Sequence, residues 1–126
     1  HITARIGTDT MLPAVAQGAI GIEIRASDTE AARLVAPLND AETALCVAAE
    51  RAFLARLDGS CRTPIAGLAE ISDGVLNFRG EILTPDGTQR FAASRSGPPA
   101  AALRLGDEAA AELLALAGPE FWRVTA

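Results

Sequence analysis

Lysine is missing from this 126-residue sequence: all eleven basic residues are arginine, set against sixteen acidic residues for a formal net charge of −5. That balance argues against a nucleic-acid groove, which needs excess positive charge along the phosphates. Histidine occurs once, at His1, so a zinc centre or a Cys–His catalytic pair has almost no material, and no metal is expected. No apolar run approaches the ~18–20 residues of a membrane span, and no basic segment leading into an apolar stretch marks a secretory signal. Two cysteines, Cys46 and Cys61, without such a signal fit unpaired thiols in a reducing, cytoplasmic setting. Methionine also occurs once, at Met11, while the chain opens on His1, so the expectation is a fragment or a processed product. Repeats, low-complexity tracts and Gly-rich phosphate loops are absent from the sequence as well.

What is present suffices for one domain with a core: 49% hydrophobic and 21% charged residues. Gly18 to Arg25 (GAIGIEIR) is a short apolar run bounded by Gly and Ser-Asp, the pattern of a strand covered on both faces. Ser27 or Asp28 can cap a helix over 29–38 whose apolar side is Ala31, Leu34, Val35 and Leu38. Residues 1–38 thus read as a strand-helix remnant of an α/β domain. From Asn39 the pattern becomes self-contained. Asp40 is an N-cap for a long helix with Leu45, Ala49, Ala52, Phe53 and Leu57 on one side, stopped by Asp58-Gly59. Three strands follow, Ile65 to Ile71, Val75 to Leu83 and Thr88 to Ser94, separated by the turns Ser72-Asp73-Gly74 and Pro85-Asp86-Gly87. Leu76, Phe78 and Ile82 share one strand face, which the helices must cover. Asp107 can cap a last helix, Gly118-Pro119 ends it, and Phe121 and Trp122 dock the tail. The expected class is α+β, a three-stranded antiparallel sheet covered by helices over 39–126.

Among the chemically capable residues, Glu42, Glu50 and Arg56 on the long helix read as a solvated face. Cys46, inside an apolar helix, reads as a small buried thiol. Cys61 differs, because Asp58-Gly59-Ser60-Cys61-Arg62-Thr63-Pro64 is a turn with small residues before the thiol and Pro after it, open to a large neighbour, and it reads equally as a functional thiol or as a loop thiol of no consequence. A helix C-terminus behind the thiol disfavours a thiolate and Arg62 favours one, which suits an attachment point better than a strongly activated nucleophile.

Three stretches in order carry a resemblance: Leu12-Pro13-Ala14-Val15-Ala16-Gln17-Gly18-Ala19-Ile20-Gly21-Ile22-Glu23, Glu50-Arg51-Ala52-Phe53-Leu54, and Leu57 through Ala66 (LDGSCRTPIA). Together they resemble the C-terminal part of the porphobilinogen deaminase (hydroxymethylbilane synthase) family, and the resemblance runs over essentially the whole chain. It implies two α/β domains followed by a small α+β domain with a cysteine loop. Residues 39–126 would be that cofactor-carrying domain, and 1–38 a remnant of the domains before it. It also implies a dipyrromethane held by a thioether at Cys61 and extended by four porphobilinogen units with loss of ammonia, in tetrapyrrole (heme) biosynthesis. By the same motifs Gln17 and Gly18 approach that cofactor. The sequence departs from the family in having Ser60 for a second Gly and Ala16 for the Gly usual before the Gln; a residue there that needs positive φ would be strained.

No motif carries the acidic residue that stabilises the pyrrole nitrogens in the family, or the arginines that bind acetate and propionate groups. No catalytic residue is therefore assigned within the chain, and the chain alone is expected to be inactive. Its expected partners are porphobilinogen, the growing pyrrole chain and the missing N-terminal domains, in an enzyme expected to be a monomer. A non-catalytic α+β interaction module is the competing reading, and thiol catalysis by Cys61 a weaker one for want of a base. The unpartnered run Gly18 to Arg25 is expected to pair with a second copy or to lack order.

Overall fold

Asp40 starts the long helix as its sequence suggests. Its carboxylate accepts from the Thr43 backbone N–H at 2.7 Å, and that bond holds the Asp40 carboxyl below the usual carboxylate range. In the computed structural model, which describes residues 1–57 and 63–125 and only the backbone of 123–125, this helix is α2 (Ala41–Leu57). Before it lie α1 (Thr29–Val35), capped by Asp28, and a short 3-10 turn (Ala36–Leu38). After it come β1 (Ile65–Ser72), β2 (Val75–Leu83) and β3 (Arg90–Gly97), a 3-10 turn (Pro99–Ala101) and α3 (Ala102–Thr125). The strands form an antiparallel meander in the order β1-β2-β3. The α+β expectation therefore holds.

The first hairpin closes tightly because Asp73 (φ 52°) and Gly74 (φ 74°) both take left-handed backbone between Ser72 and Val75. The second turn is longer. Asp86 Oδ1 accepts from the Thr84 hydroxyl (2.6 Å) and from both the hydroxyl (2.9 Å) and N–H (3.1 Å) of Thr88. Thr88 and Gln89 are thereby held in the turn, so β3 begins at Arg90 rather than Thr88 and runs on to Gly97.

α2 and α3 both lie on the sheet face that carries Leu76, Phe78 and Ile82, all at most 1% exposed. The register sets Gly67 beside Gly80 and Gly80 beside Ala93, a row of small residues across all three strands. Phe53 fills the trough over that row: a Cβ on Gly80 would stand 2.6 Å from its ring, and Phe78 flanks it with a centroid separation of 5.0 Å. The two helices cross where Gly106 of α3 meets Ala49 of α2, so closely that a Cβ on Gly106 would lie 2.0 Å from the Ala49 carbonyl oxygen. α3 breaks at Gly118 (φ 68°) before Pro119, and the following turn seats Phe121 edge-on to Phe91 with centroids 5.7 Å apart. Trp122 packs against Phe121 in turn, as expected for the tail.

Three expectations need correction. Gly18 to Arg25 forms no strand; it joins no ladder among the described residues, Ile20 is 93% exposed, and an extended segment without a neighbour has nothing to satisfy its backbone. The helix after it buries none of its residues, so the apolar side over Leu34 and Leu38 faces outward. Asp107 is not a cap, because the prolines at 98 and 99 start the 3-10 turn and α3 begins five residues earlier; Asp107 instead pairs with Arg56 at 3.5 Å.

The helix crossing has a direct test. Gly106→Ala should destabilise the chain by roughly 2–3 kcal/mol, because backbone and not a movable side chain blocks the new methyl. Leu103→Ala, at a side chain 65% exposed, should stay within about 0.5 kcal/mol. Equal urea midpoints for the two variants would contradict this packing.

Candidate functional site

Ahead of α1, residues 12–16 return to the body of the domain. Leu12 is 8% exposed, Val15 packs against the core, and the Gly67 N–H donates to the Pro13 carbonyl at 3.0 Å, so this segment lies along the free edge of β1. A tight turn follows. The Gln17 N–H donates to the Ala14 carbonyl at 3.1 Å and the Ala19 N–H to the Ala16 carbonyl at 3.2 Å. Ala16 (φ 59°) and Gly18 (φ 83°) are both left-handed, so the position where the family usually has Gly is one that needs positive φ here.

Glu50 was expected on a solvated face and is instead buried, at 5% exposure. Its Oε2 accepts from the Ala16 N–H at 2.6 Å and its Oε1 from the Ala69 N–H at 2.8 Å. One carboxylate thus joins α2, the edge of β1 and the turn that carries Gln17. Charge-assisted bonds to two backbone donors offset the cost of removing the carboxylate from water. The signal was in the spacing: Glu50 stands three residues before Phe53 and seven before Leu57, on the buried stripe rather than opposite it. Glu42 and Arg56 are exposed, as expected.

A cavity of about 360 Å³ opens beside this junction, with Gln17, Gly18, Asp40, Glu42, Cys46 and Glu50 in its lining and no arginine among the described residues there. Gln17 and Gly18 are therefore brought together with Cys46 and Glu50. Cys46 is partly exposed rather than buried, and its thiol is unpaired. Partial burial pushes that thiol above its ordinary range, and the carboxylates of Glu50, Glu42, Glu70 and Asp40 push the same way. Cys61 lies outside the described residues. The segments flanking it are held in the core: Leu57 is 3% and Thr63 8% exposed, and the Leu83 N–H donates to the Pro64 carbonyl at 3.0 Å. Among the described residues no group of three or more His, Cys, Asp or Glu is placed to hold a metal, and no helix is long and apolar enough to cross a membrane.

These features define a small helix-covered α+β domain in which the cysteine-bearing stretch joins a buried helix end to an anchored strand. A family model described as porphobilinogen deaminase, C-terminal domain, matches residues 44–115, more than half of the chain. The chain belongs to that family. The porphobilinogen deaminase of Paracoccus denitrificans is 56% identical over 114 residues, covering 90% of this chain and 36% of the relative. The chloroplastic porphobilinogen deaminase of Pisum sativum is 49% identical over 125 residues (97% and 34%), and that of Nitrobacter hamburgensis 47% over 124 residues (98% and 39%). The chain thus spans about a third of the length of these curated relatives.

Two outcomes check this geometry. Ala16→Gly should raise stability by up to about 1 kcal/mol, since it relieves the left-handed strain; a loss of stability would contradict the assigned backbone. In a Cys61→Ser background, iodoacetamide should modify Cys46 at pH 7.5 several-fold more slowly than it modifies glutathione, because fewer thiolates are present. Equal rates would contradict a raised thiol.

Proposed function

We propose that the chain is the cofactor-carrying part of a porphobilinogen deaminase, a transferase that joins four porphobilinogen units into hydroxymethylbilane and releases ammonia. Residues 39–126 form the carrier domain in this reading, and within 1–38 the stretch 12–16 lies against it while the chain after Gly18 belongs with the domains that precede it. The observation that carries it is the family match across α2, the sheet and α3, with near-full-length coverage of this chain by relatives bearing that name. Cys61 is the attachment residue. Loss of ammonia from porphobilinogen leaves an electrophilic methylene carbon, and a thiol captures such a carbon as a stable thioether. The dipyrromethane, when bound, supplies the primer to which the pyrrole units are added.

Within this reading each described group has a limited task. α2 and β1 hold the two ends of the cysteine stretch, while Gln17 and Gly18 stand at the side from which the cofactor is approached. The described wall of the cavity next to them suits uncharged or N–H-bearing groups better than acetate and propionate side chains, because among the described residues it carries Asp40, Glu42 and Glu50 and no base. The chain spans only 36% and 34% of the first two of these relatives, which supports inactivity of the chain alone and a requirement for further domains.

A chimera tests the reading. When this chain replaces the matching segment of the Paracoccus relative, the protein should make hydroxymethylbilane and carry added mass with pyrrole-specific colour in an acidic aldehyde reagent. Cys61→Ser should abolish both adduct signals, Cys46→Ser should not, and the thioether should survive thiol reductants. An adduct that persists in Cys61→Ser would overturn the attachment site, and turnover of porphobilinogen by the 126-residue chain alone would overturn its inactivity.

A further inference from the structure

We propose that Glu50 is a positioning residue: its carboxylate clasps the Ala16–Gly18 turn to the edge of β1, so that Gln17 moves with the domain bearing Cys61 and not with the segment after Gly18. The inference rests on the proposed function for what Gln17 is positioned toward. The clasp itself rests on geometry alone.

Ala16 belongs to no helix or strand, yet its N–H is directed into a buried carboxylate 34 residues away at 2.6 Å. The other oxygen of that carboxylate takes the Ala69 N–H, an edge donor of β1 that has no neighbouring strand to receive it. Pro13 provides the first tie, accepting from Gly67, and Glu50 provides the second, with Leu12 and Val15 packed between the chain and the core. Beyond the turn no hydrogen bond to the domain occurs among the described residues up to Arg25, and Ile20 is 93% and Ile22 53% exposed. A boundary between held and unheld chain therefore falls at Gly18, one residue after Gln17. Glutamine in place of Glu50 keeps the shape but offers only one acceptor oxygen, and its amide would turn a donor toward a donor. The clasp would then lose one of its two bonds and its charge.

Amide hydrogen exchange followed by NMR reads this directly. In the unsubstituted chain the Ala16 amide should exchange at least tenfold more slowly than that of Ile20. Exchange at the Ile20 rate overturns the proposal without need of a variant. In Glu50→Gln, Ala16 and Ala69 should lose at least tenfold in protection while the β2–β3 ladder stays within twofold. Unchanged Ala16 protection overturns the proposal, and so does a uniform loss across the sheet, which would mark a purely structural role. In the chimera, Glu50→Gln should still carry the Cys61 adduct but lower kcat with little change in KM. An adduct missing from the unsubstituted chimera would defeat the functional reading and leave the clasp standing. An adduct present in Glu50→Gln with kcat unchanged would defeat the positioning role.

Discussion

The seat of Phe53 on the sheet is the contact on which the rest of this domain depends. A row of Gly67, Gly80 and Ala93 leaves room above the strands, and the ring of Phe53 occupies it at 0% exposure beside the ring of Phe78. Burying that ring contributes on the order of 2–3 kcal/mol, and the fit is also directional. Because the trough runs across the strands at one register position, it fixes both where α2 lies and how far it is advanced along its axis. Gly106 then lets α3 close against Ala49, one turn from Phe53, and the second helix inherits its place from the first.

Everything proposed for function hangs from that register. Glu50 precedes Phe53 by one helical turn and Leu57 follows it by another, so seating the ring places the carboxylate at the β1 edge and the helix end in the core. The cysteine stretch is thereby bracketed by two buried anchors, Leu57 and Thr63. A carrier residue needs that arrangement, since a thioether on a poorly anchored segment could not present a growing chain to catalytic groups in other domains. The same helix that builds the core thus also sets the position of the turn carrying Gln17 and the ends of the stretch carrying Cys61.

Much of this was legible in the residues, and the failures have physical causes. Turn chemistry at Asp73-Gly74 and alternation along β2 announced the meander, while Asp40 and the Ala49-Phe53-Leu57 spacing announced α2. The start of β3 was missed by two residues because Asp86 recruits Thr88 into the turn through side-chain bonds that composition does not reveal. Gly18 to Arg25 has strand-like composition, but a strand is a property of a pair, and no neighbour for it occurs among the described residues. Glu50 was misjudged because charge suggested water, whereas its place on the helix stripe and the donors of Ala16 and Ala69 decided burial. The role proposed for Cys61 rests on motif resemblance, since a loop thiol without a base carries little signal of its own.

The measurement that most directly tests this account is the NMR environment of Gly80 in the 126-residue chain. If Phe53 sits in the trough, the Gly80 α-protons should be displaced far from random-coil positions by the ring and give strong cross-peaks to the Phe53 ring protons. Random-coil α-proton shifts at Gly80, with no cross-peak to Phe53, would contradict the helix register on which both the clasp and the anchored cysteine stretch depend.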